Sequence, residues 1–298
     1  MLTGQAAGRR PRSEQSYLAA VWARLRRDRM AILSIVVLAL IAALSLLAPW
    51  LSAHLLGHEP TAIDLDHNFA PPGSEHWLGT DEYGRDVLAR ALHAGRISLG
   101  IGLTVASISM TIGVFTGLIS GFYRGRIDDV TNAIIQTLLN IPILFLLILL
   151  SLLMRPEPPW LAFIIGITGW MGTARLVRGE VFSIRERDYI EAARAVGATN
   201  RRIILRHVLP NVSSLIIVIA AFDVAGGIMV ESGLSFLGVG VQPPDASWGS
   251  MLLHSRTYTT KAPWLVITPG FFIFVTILSI FLLADGLRDA LDPWLKES

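Results

Sequence analysis

Long apolar stretches separated by short polar ones dominate the chain, and their lengths carry its first structural information. A hydrocarbon core of about 30 Å takes roughly 20 helical residues to cross at about 1.5 Å per residue. Apolar runs of about that length occupy Met30 to Leu51, Ile97 to Phe122, Val130 to Met154, Trp160 to Val177, Val212 to Val230 and Trp264 to Ala284. They predict an all-α integral membrane protein with about six transmembrane helices, Val130 to Met154 being read as one continuous span. The second run is dotted with Gly100, Gly102, Gly113, Gly117 and Gly121, which lower helix propensity but let neighbouring helices approach closely in lipid. It is expected inside the bundle. The first run is longer than a signal-peptide core and lacks a small-residue cleavage site, so a retained anchor helix is expected there.

Composition narrows the class further. A chain of 298 residues that is 52% hydrophobic and 16% charged, with mean hydropathy +0.55, is too apolar for an ordinary soluble domain. Cysteine is absent, which excludes disulfides, thiolate nucleophiles and cysteine metal sites. A net charge of +2 is too small to imply nucleic-acid binding, so membrane lipid and no nucleic acid are the expected surroundings. The distribution of charge says more than its sum. Arg9, Arg10, Arg12, Arg24, Arg26, Arg27 and Arg29 precede the first run, and Arg178, Arg185, Arg187, Arg194, Arg201, Arg202 and Arg206 precede the fifth. An even span count puts both clusters on one face, the cytoplasmic one, while the acidic stretch from Ser52 to Gly95 lies outside. The layout is then a cytoplasmic segment 1–29, a first transmembrane helix 30–52, an external loop 53–95, a core transmembrane domain 96–286 and a cytoplasmic tail 287–298.

One cytoplasmic stretch has its own architecture. In Asp188 to Gly197, Ile190, Ala193, Val196 and Gly197 recur at helical spacing, predicting a short amphipathic helix that stops at Gly197. Thr199 or Asn200 can cap a second helix whose Ile203, Ile204, Val208 and Leu209 share a face, with Pro210 fitting the first turn of the following span. A helix, a glycine turn and a helix running into the membrane can transmit a push from a soluble partner.

The residues of loop 188–210 resemble the inner-membrane permeases of binding-protein-dependent ABC importers. The resemblance rests on Glu191, Ala192, Ala193, Gly197, Ile203, Leu209 and Pro210. His76-Trp-Leu-Gly-Thr-Asp-Glu-Tyr-Gly-Arg-Asp86, Glu231 to Gly240, Gln242-Pro-Pro, Ser247-Trp-Gly249 and Asp285 to Pro293 are similar to the C-type subunits of the dipeptide, oligopeptide and nickel permeases. The resemblance implies a type I importer fold in a bacterial inner membrane with both termini cytoplasmic. It implies a homologous second permease, two ATP-binding subunits docked on the coupling loops, and an external substrate-binding protein. ATP and magnesium would sit on those partners and no cofactor on this chain. In agreement, neither Lys261 nor Lys296 belongs to a phosphate-binding Gly-x-x-x-x-Gly-Lys motif. The expected solute is a peptide, with nickel or another small solute as the alternative.

The remaining candidates carry less. No catalytic residue is expected, because no zinc-protease motif, paired intramembrane aspartates or Ser/His dyad is present. A secondary transporter is disfavoured by the lack of an internal repeat. His54, His58, Asp64, Asp66 and His67 crowd the external loop, but their spacing reads as a solvated loop and no metal site is expected. Thr80, Asp81 and Gly84 read as turn formers, with Asp86 and Arg90 at ion-pair spacing. Asp223 is taken as the one carboxylate clearly inside a span, flanked by Ala220, Gly226 and Gly227. It is expected either to accept a hydrogen bond across helices or to serve as a counter-charge in the translocation path.

Overall fold

A computed structural model describes residues 14–154 and 157–291. Arg9, Arg10 and Arg12, Arg155, and the carboxyl end of the last motif with Lys296 lie outside the described residues.

The described residues form helices joined by short connectors. In chain order these are α1 (Glu14–Leu25), α2 (Arg29–Leu46), α3 (Ala48–Leu51), α4 (Val87–Tyr123), α5 (Gly125–Leu139), α6 (Ile143–Met154) and α7 (Pro158–Arg185). They continue with α8 (Asp188–Ala195), α9 (Asn200–Ile203), α10 (Leu209–Phe236), α11 (Trp248–Ser255) and α12 (Trp264–Leu291). Among the described residues five helices are long and apolar enough to cross a membrane, or six if one bent pair counts as a span.

That bent pair corrects one expectation. The run Val130 to Met154 is not a continuous helix: α5 and α6 meet at 75° across Asn140, Ile141 and Pro142. Pro142 has no N–H to donate and disfavours helical geometry at Ile141, so the helix stops at the residue the proline dictates. With 15 and 12 residues the halves span about 22 and 18 Å, too short to cross separately. Hydropathy alone could not register the break, because Ile141 and the apolar residues on either side offset Asn140 and Pro142 in the window average.

The centre of the bundle is the pairing of α4 with α7, the most extensively packed pair, with α10 laid against both. Glycines permit this approach. A methyl group at Gly113 would lie 2.6 Å from Thr173 Cβ, at Gly117 2.8 Å from Val177 Cβ, and at Gly121 2.9 Å from Val181 Cβ. The spacing of Gly113, Gly117 and Gly121 puts all three on one helix face, and the residues they meet on α7 recur at the same period. Gly102 and Gly227 do the same between α4 and α10, where their added carbons would meet Ile228 and Val105. Gly100, in contrast, faces open space. α2 closes against α12, its first turn capped by Asp28, which accepts from the amides of Met30 and Ala31 at 2.8 and 3.2 Å. Leu33, Val36 and Leu40 on α2, and Ile267, Phe271 and Phe274 on α12, are left exposed, the surface expected of helices that face lipid or another apolar subunit.

Gly117→Leu should therefore separate α4 from α7 and abolish the monodisperse peak of the detergent-extracted chain in fluorescence-detected gel filtration, whereas Gly100→Leu should leave it unchanged. Equal profiles for the two variants would contradict the packing described here.

Candidate functional site

The stretch expected to couple to a soluble partner folds as its spacing indicates. α8 ends with Val196 as its cap, and Gly197 follows in the left-handed region at φ +83°. A side chain there costs about 1–2 kcal/mol in backbone strain alone, since no atom lies within 4 Å of the added carbon. Thr199 then caps α9, its hydroxyl accepting from the Arg202 amide at 3.4 Å. α9 does not stop at Ile203. Residues 204–208 continue as a π-helical turn into α10, so one helical rod runs from Asn200 to Phe236. Pro210 lies just past that turn, within the first positions of α10, and its missing N–H accompanies the local shift to wider hydrogen bonding.

Burial fixes the loop against the bundle. Ile190, Ile203 and Val208 are fully buried, together with Phe122 of α4 and Val177, Val181 and Ile184 of α7. Ala193, Ile204 and Leu209 pack against the same cluster. The other side faces outward: Glu191, Ala192, Gly197 and Pro210 are exposed, and Val196 is 85% exposed. Tyr189, Ala192, Val196 and Ala198 line an open cleft of about 400 Å³ here. The arrangement is a rigid knuckle with an apolar outer surface, clamped by its inner residues to the ends of α4 and α7.

Arginines reinforce that end of the bundle. Arg178 on α7 holds Asp128 on α5 in a two-pronged pair, Nε to Oδ1 at 2.5 Å and an Nη to Oδ2 at 2.8 Å. Arg124 reaches Glu186 at 2.8 Å, and Arg185 donates to the Phe122 carbonyl at 2.5 Å. Arg194 lies over the Phe122 ring at 5.6 Å. The Asp128–Arg178 pair was not legible in the sequence, since its partners are fifty positions apart and share no motif.

Asp223 stands midway along α10, half-buried, and its Oδ2 accepts from Ser109 of α4 and Thr173 of α7, both at 2.9 Å. Three helices thus meet on one carboxylate. Its small neighbours play unequal parts, for Gly227 packs on Val105 whereas Gly226 faces open space.

Asp223 is not the one carboxylate inside a span. Glu231, two turns further along α10, is completely buried. Its Oε1 accepts from Ser235 at 2.6 Å and its Oε2 from Ser98 and Ser232 at 3.3 and 3.4 Å. Ser98 in turn accepts from the Trp248 amide at 3.1 Å, and Ser235 from the Val241 amide at 2.9 Å. The apolar run was expected to end near Val230, where the sequence turns glycine-rich. The serines beyond it are instead the hydroxyl lining that makes the burial tolerable. Ser232 and Ser235, one and four residues on, were the available signal.

The loop before α4 also departs from expectation. Asp86 does not pair with Arg90: its Oδ1 caps α4 through the Ala89 amide at 2.7 Å, and its Oδ2 faces His76 Nδ1 at 3.0 Å. Arg90 and Arg85 turn to Asp81, at 3.4 and 2.7 Å. Asp81 also accepts from the amides of Tyr83 and Arg85, so the turn-forming reading of this stretch describes it well. His67 Nδ1 meets Asp64 at 2.8 Å; that hydrogen bond raises the imidazole's pKa and lowers the carboxyl's. His54 is spent on the Trp50 carbonyl, and Gly57 at φ +70° ends the helix before His58, so those two histidines do not share a helix face.

Residues 113–297 match the family model of the binding-protein-dependent transport system inner membrane component, and residues 16–72 match that of the N-terminal transmembrane domain of oligopeptide transport permease C. The chain belongs to this permease family. It is 39% identical over 286 residues to the dipeptide transport system permease protein DppC of Bacillus subtilis, covering 96% of this chain and 88% of that one. It is 40% identical over 274 residues to the oligopeptide transport system permease protein OppC of Haemophilus influenzae, covering 91% and 86%. Among solved structures, the MetNI methionine ABC transporter in its inward-facing form aligns with TM-score 0.54 at 18% identity, over 68% of this chain and 96% of that one. That likeness establishes the fold. The permease is a multi-pass transport subunit of an ABC importer rather than an enzyme.

Because Asp223 joins three helices through two hydroxyls, Asp223→Ala should strand Ser109 and Thr173 and cost roughly 1–3 kcal/mol. Asp223→Asn, which keeps an acceptor oxygen, should lose less. Thermal unfolding of the detergent-solubilised permease checks the order, and an Asn variant as unstable as Ala would contradict it.

Proposed function

We propose that the permease imports di- or oligopeptides, forming the path with a homologous second permease and driven by two cytoplasmic ATP-binding subunits. An external binding protein would deliver the solute. ATP and magnesium belong to the partners in this reading, and the chain itself holds no cofactor. The peptide assignment rests on relatives named for dipeptide and oligopeptide transport that align over more than nine-tenths of the chain.

The observation that carries the mechanism is the unbroken rod Asn200 to Phe236. One end is the knuckle at Glu191, Ala192, Ala193 and Gly197, clamped through Ile203 and Leu209. Asp223 lies along its length. A displacement applied to α8 crosses only the Gly197 turn, which the packing of Ile190 and Ala193 with Ile203 holds in place, and the continuous helix then carries it to Asp223 and Glu231, because a helix resists axial compression far better than a loop does. ATP-dependent closure of the partner subunits on the exposed Tyr189–Val196 surface would thereby tilt α10, and with it the hydroxyl clasp to α4 and α7. Asp223 is proposed to line the path, where its charge suits the cationic amino terminus of a peptide.

Three outcomes test this reading. Gly197→Val should insert normally, associate about tenfold more weakly with the ATP-binding subunits, and lose uptake, the valine being forced into a left-handed backbone; wild-type uptake would remove the loop's role. In proteoliposomes, radiolabelled tripeptide should accumulate only when the second permease, binding protein and ATP-binding subunits are all present, and accumulation without the ATP-binding subunits would overturn the class of mechanism. The arginine-rich end, with Arg124, Arg185 and Arg194 gathered around Phe122, is assigned to the cytoplasm. A reporter after Lys296 should accordingly be cytoplasmic and one inserted at Glu59 external; the same side for both would refute the topology.

A further inference from the structure

The loop between α3 and α4 brings together two imidazoles and a carboxylate from three separate stretches of sequence. His58, His76 and Asp86 each offer one ligand atom within 4.8 Å of the others, the one such group of three found among the described residues. His76 and Asp86 are buried, and His58 is partly covered. The His58 and His76 rings lie 4.5 Å apart, centre to centre.

The hydrogen bonding of the three residues suits metal ligation. His58 Nε2 lies 3.2 Å from the Glu75 carbonyl, which can only accept, so Nε2 carries the proton and Nδ1 keeps its lone pair. A ligating histidine usually has its other ring nitrogen anchored in this way, on a carbonyl or carboxylate. His76 Nδ1 and Asp86 Oδ2 are 3.0 Å apart. Two ligands of one ion with bonds of roughly 2.0–2.2 Å lie about 2.8–3.6 Å apart at bond angles of roughly 90–110°. An ion can therefore replace the proton between them with little movement. Asp86 Oδ1 stays on the Ala89 amide, which fixes the carboxylate's orientation. The backbone before His58 has room to adjust, because Gly57 is left-handed and open space lies beside it.

We propose that His58, His76 and Asp86 form a divalent transition-metal site of the zinc or nickel class, with water completing the coordination. Imidazole with a single carboxylate suits those ions, and calcium or magnesium would ask for more oxygen ligands. The site clasps the Gly57–Pro60 segment to the start of α4. Arg90 strengthens the same junction by donating to the Pro60 carbonyl at 3.3 Å.

Equilibrium dialysis of the full-length permease, purified in detergent without an affinity histidine tag and stripped with chelator, against zinc chloride and separately nickel chloride tests the site. Metal content read by mass spectrometry should be about one ion per chain at micromolar free zinc or nickel. His58→Ala removes a partly exposed ligand and should weaken binding at least about tenfold, while His54→Ala, outside the cluster, should not. His76→Ala should also lose the ion, and His58→Ala keeps the test decisive if that buried substitution impairs folding. Absence of bound zinc and nickel in the wild type, or unchanged affinity in His58→Ala, would overturn the proposal.

Discussion

Everything in this permease depends on how closely α4, α7 and α10 can approach one another. Between helices surrounded by lipid the hydrophobic effect offers no drive, because tails and side chains are equally apolar; close packing and hydrogen bonding must hold the helices together. Gly113, Gly117 and Gly121 supply the first against Thr173, Val177 and Val181. Asp223 supplies the second through Ser109 and Thr173. The two devices are interleaved, since Thr173 both receives Gly113 and donates to Asp223. Separation of α4 from α7 would strand a carboxylate, and that penalty makes the packing specific as well as close.

The same trio connects the ends of the molecule. At one end the buried face of loop 188–210 seats on Phe122, Val181 and Ile184, and arginines pin the surrounding chain. At the other, Glu231 draws α4, α10 and the start of α11 together through Ser98, Ser235 and Trp248. α10 takes part in both and is continuous between them. A helix anchored by apolar packing at one end, by one carboxylate at its middle and by another near its far end moves as a unit. A displacement of such a helix takes the form of a tilt or a rotation rather than a bend.

The polar groups divide by location. Inside the bundle they are acceptors surrounded by hydroxyls, with Asp223 and Glu231 each satisfied by serine or threonine and, among the described residues, neither paired with an arginine. At the bundle ends they are ion pairs, Asp128 with Arg178 and Asp81 with Arg85 and Arg90. Guanidinium groups are costly to place deep in an apolar span, whereas hydroxyls add little volume and little desolvation. Serine and threonine are therefore the economical partners wherever helices are also required to lie close.

What the sequence determined by itself follows from properties that are local or additive. Apolar run length set the membrane class and five of the spans. Gly197, Thr199 and Pro210 set the knuckle, because left-handed backbone, capping and a missing N–H act within a few residues. The spacing of Gly113, Gly117 and Gly121 announced a contact face. The features that escaped the sequence involve partners remote along the chain or a single residue that averages hide. Pro142 bends a run whose hydropathy looks continuous. Glu231 looks like the end of a span until Ser98 arrives from α4 and Trp248 from α11 hydrogen-bonds Ser98 in turn. Asp86 has Arg90 at ion-pair spacing and chooses His76, because capping α4 turns its carboxylate away from the helix side and toward the loop. Spacing along a chain states which groups can meet. Which of them do meet depends on where the backbone has already carried each carboxylate, and that is settled only when the helices have packed.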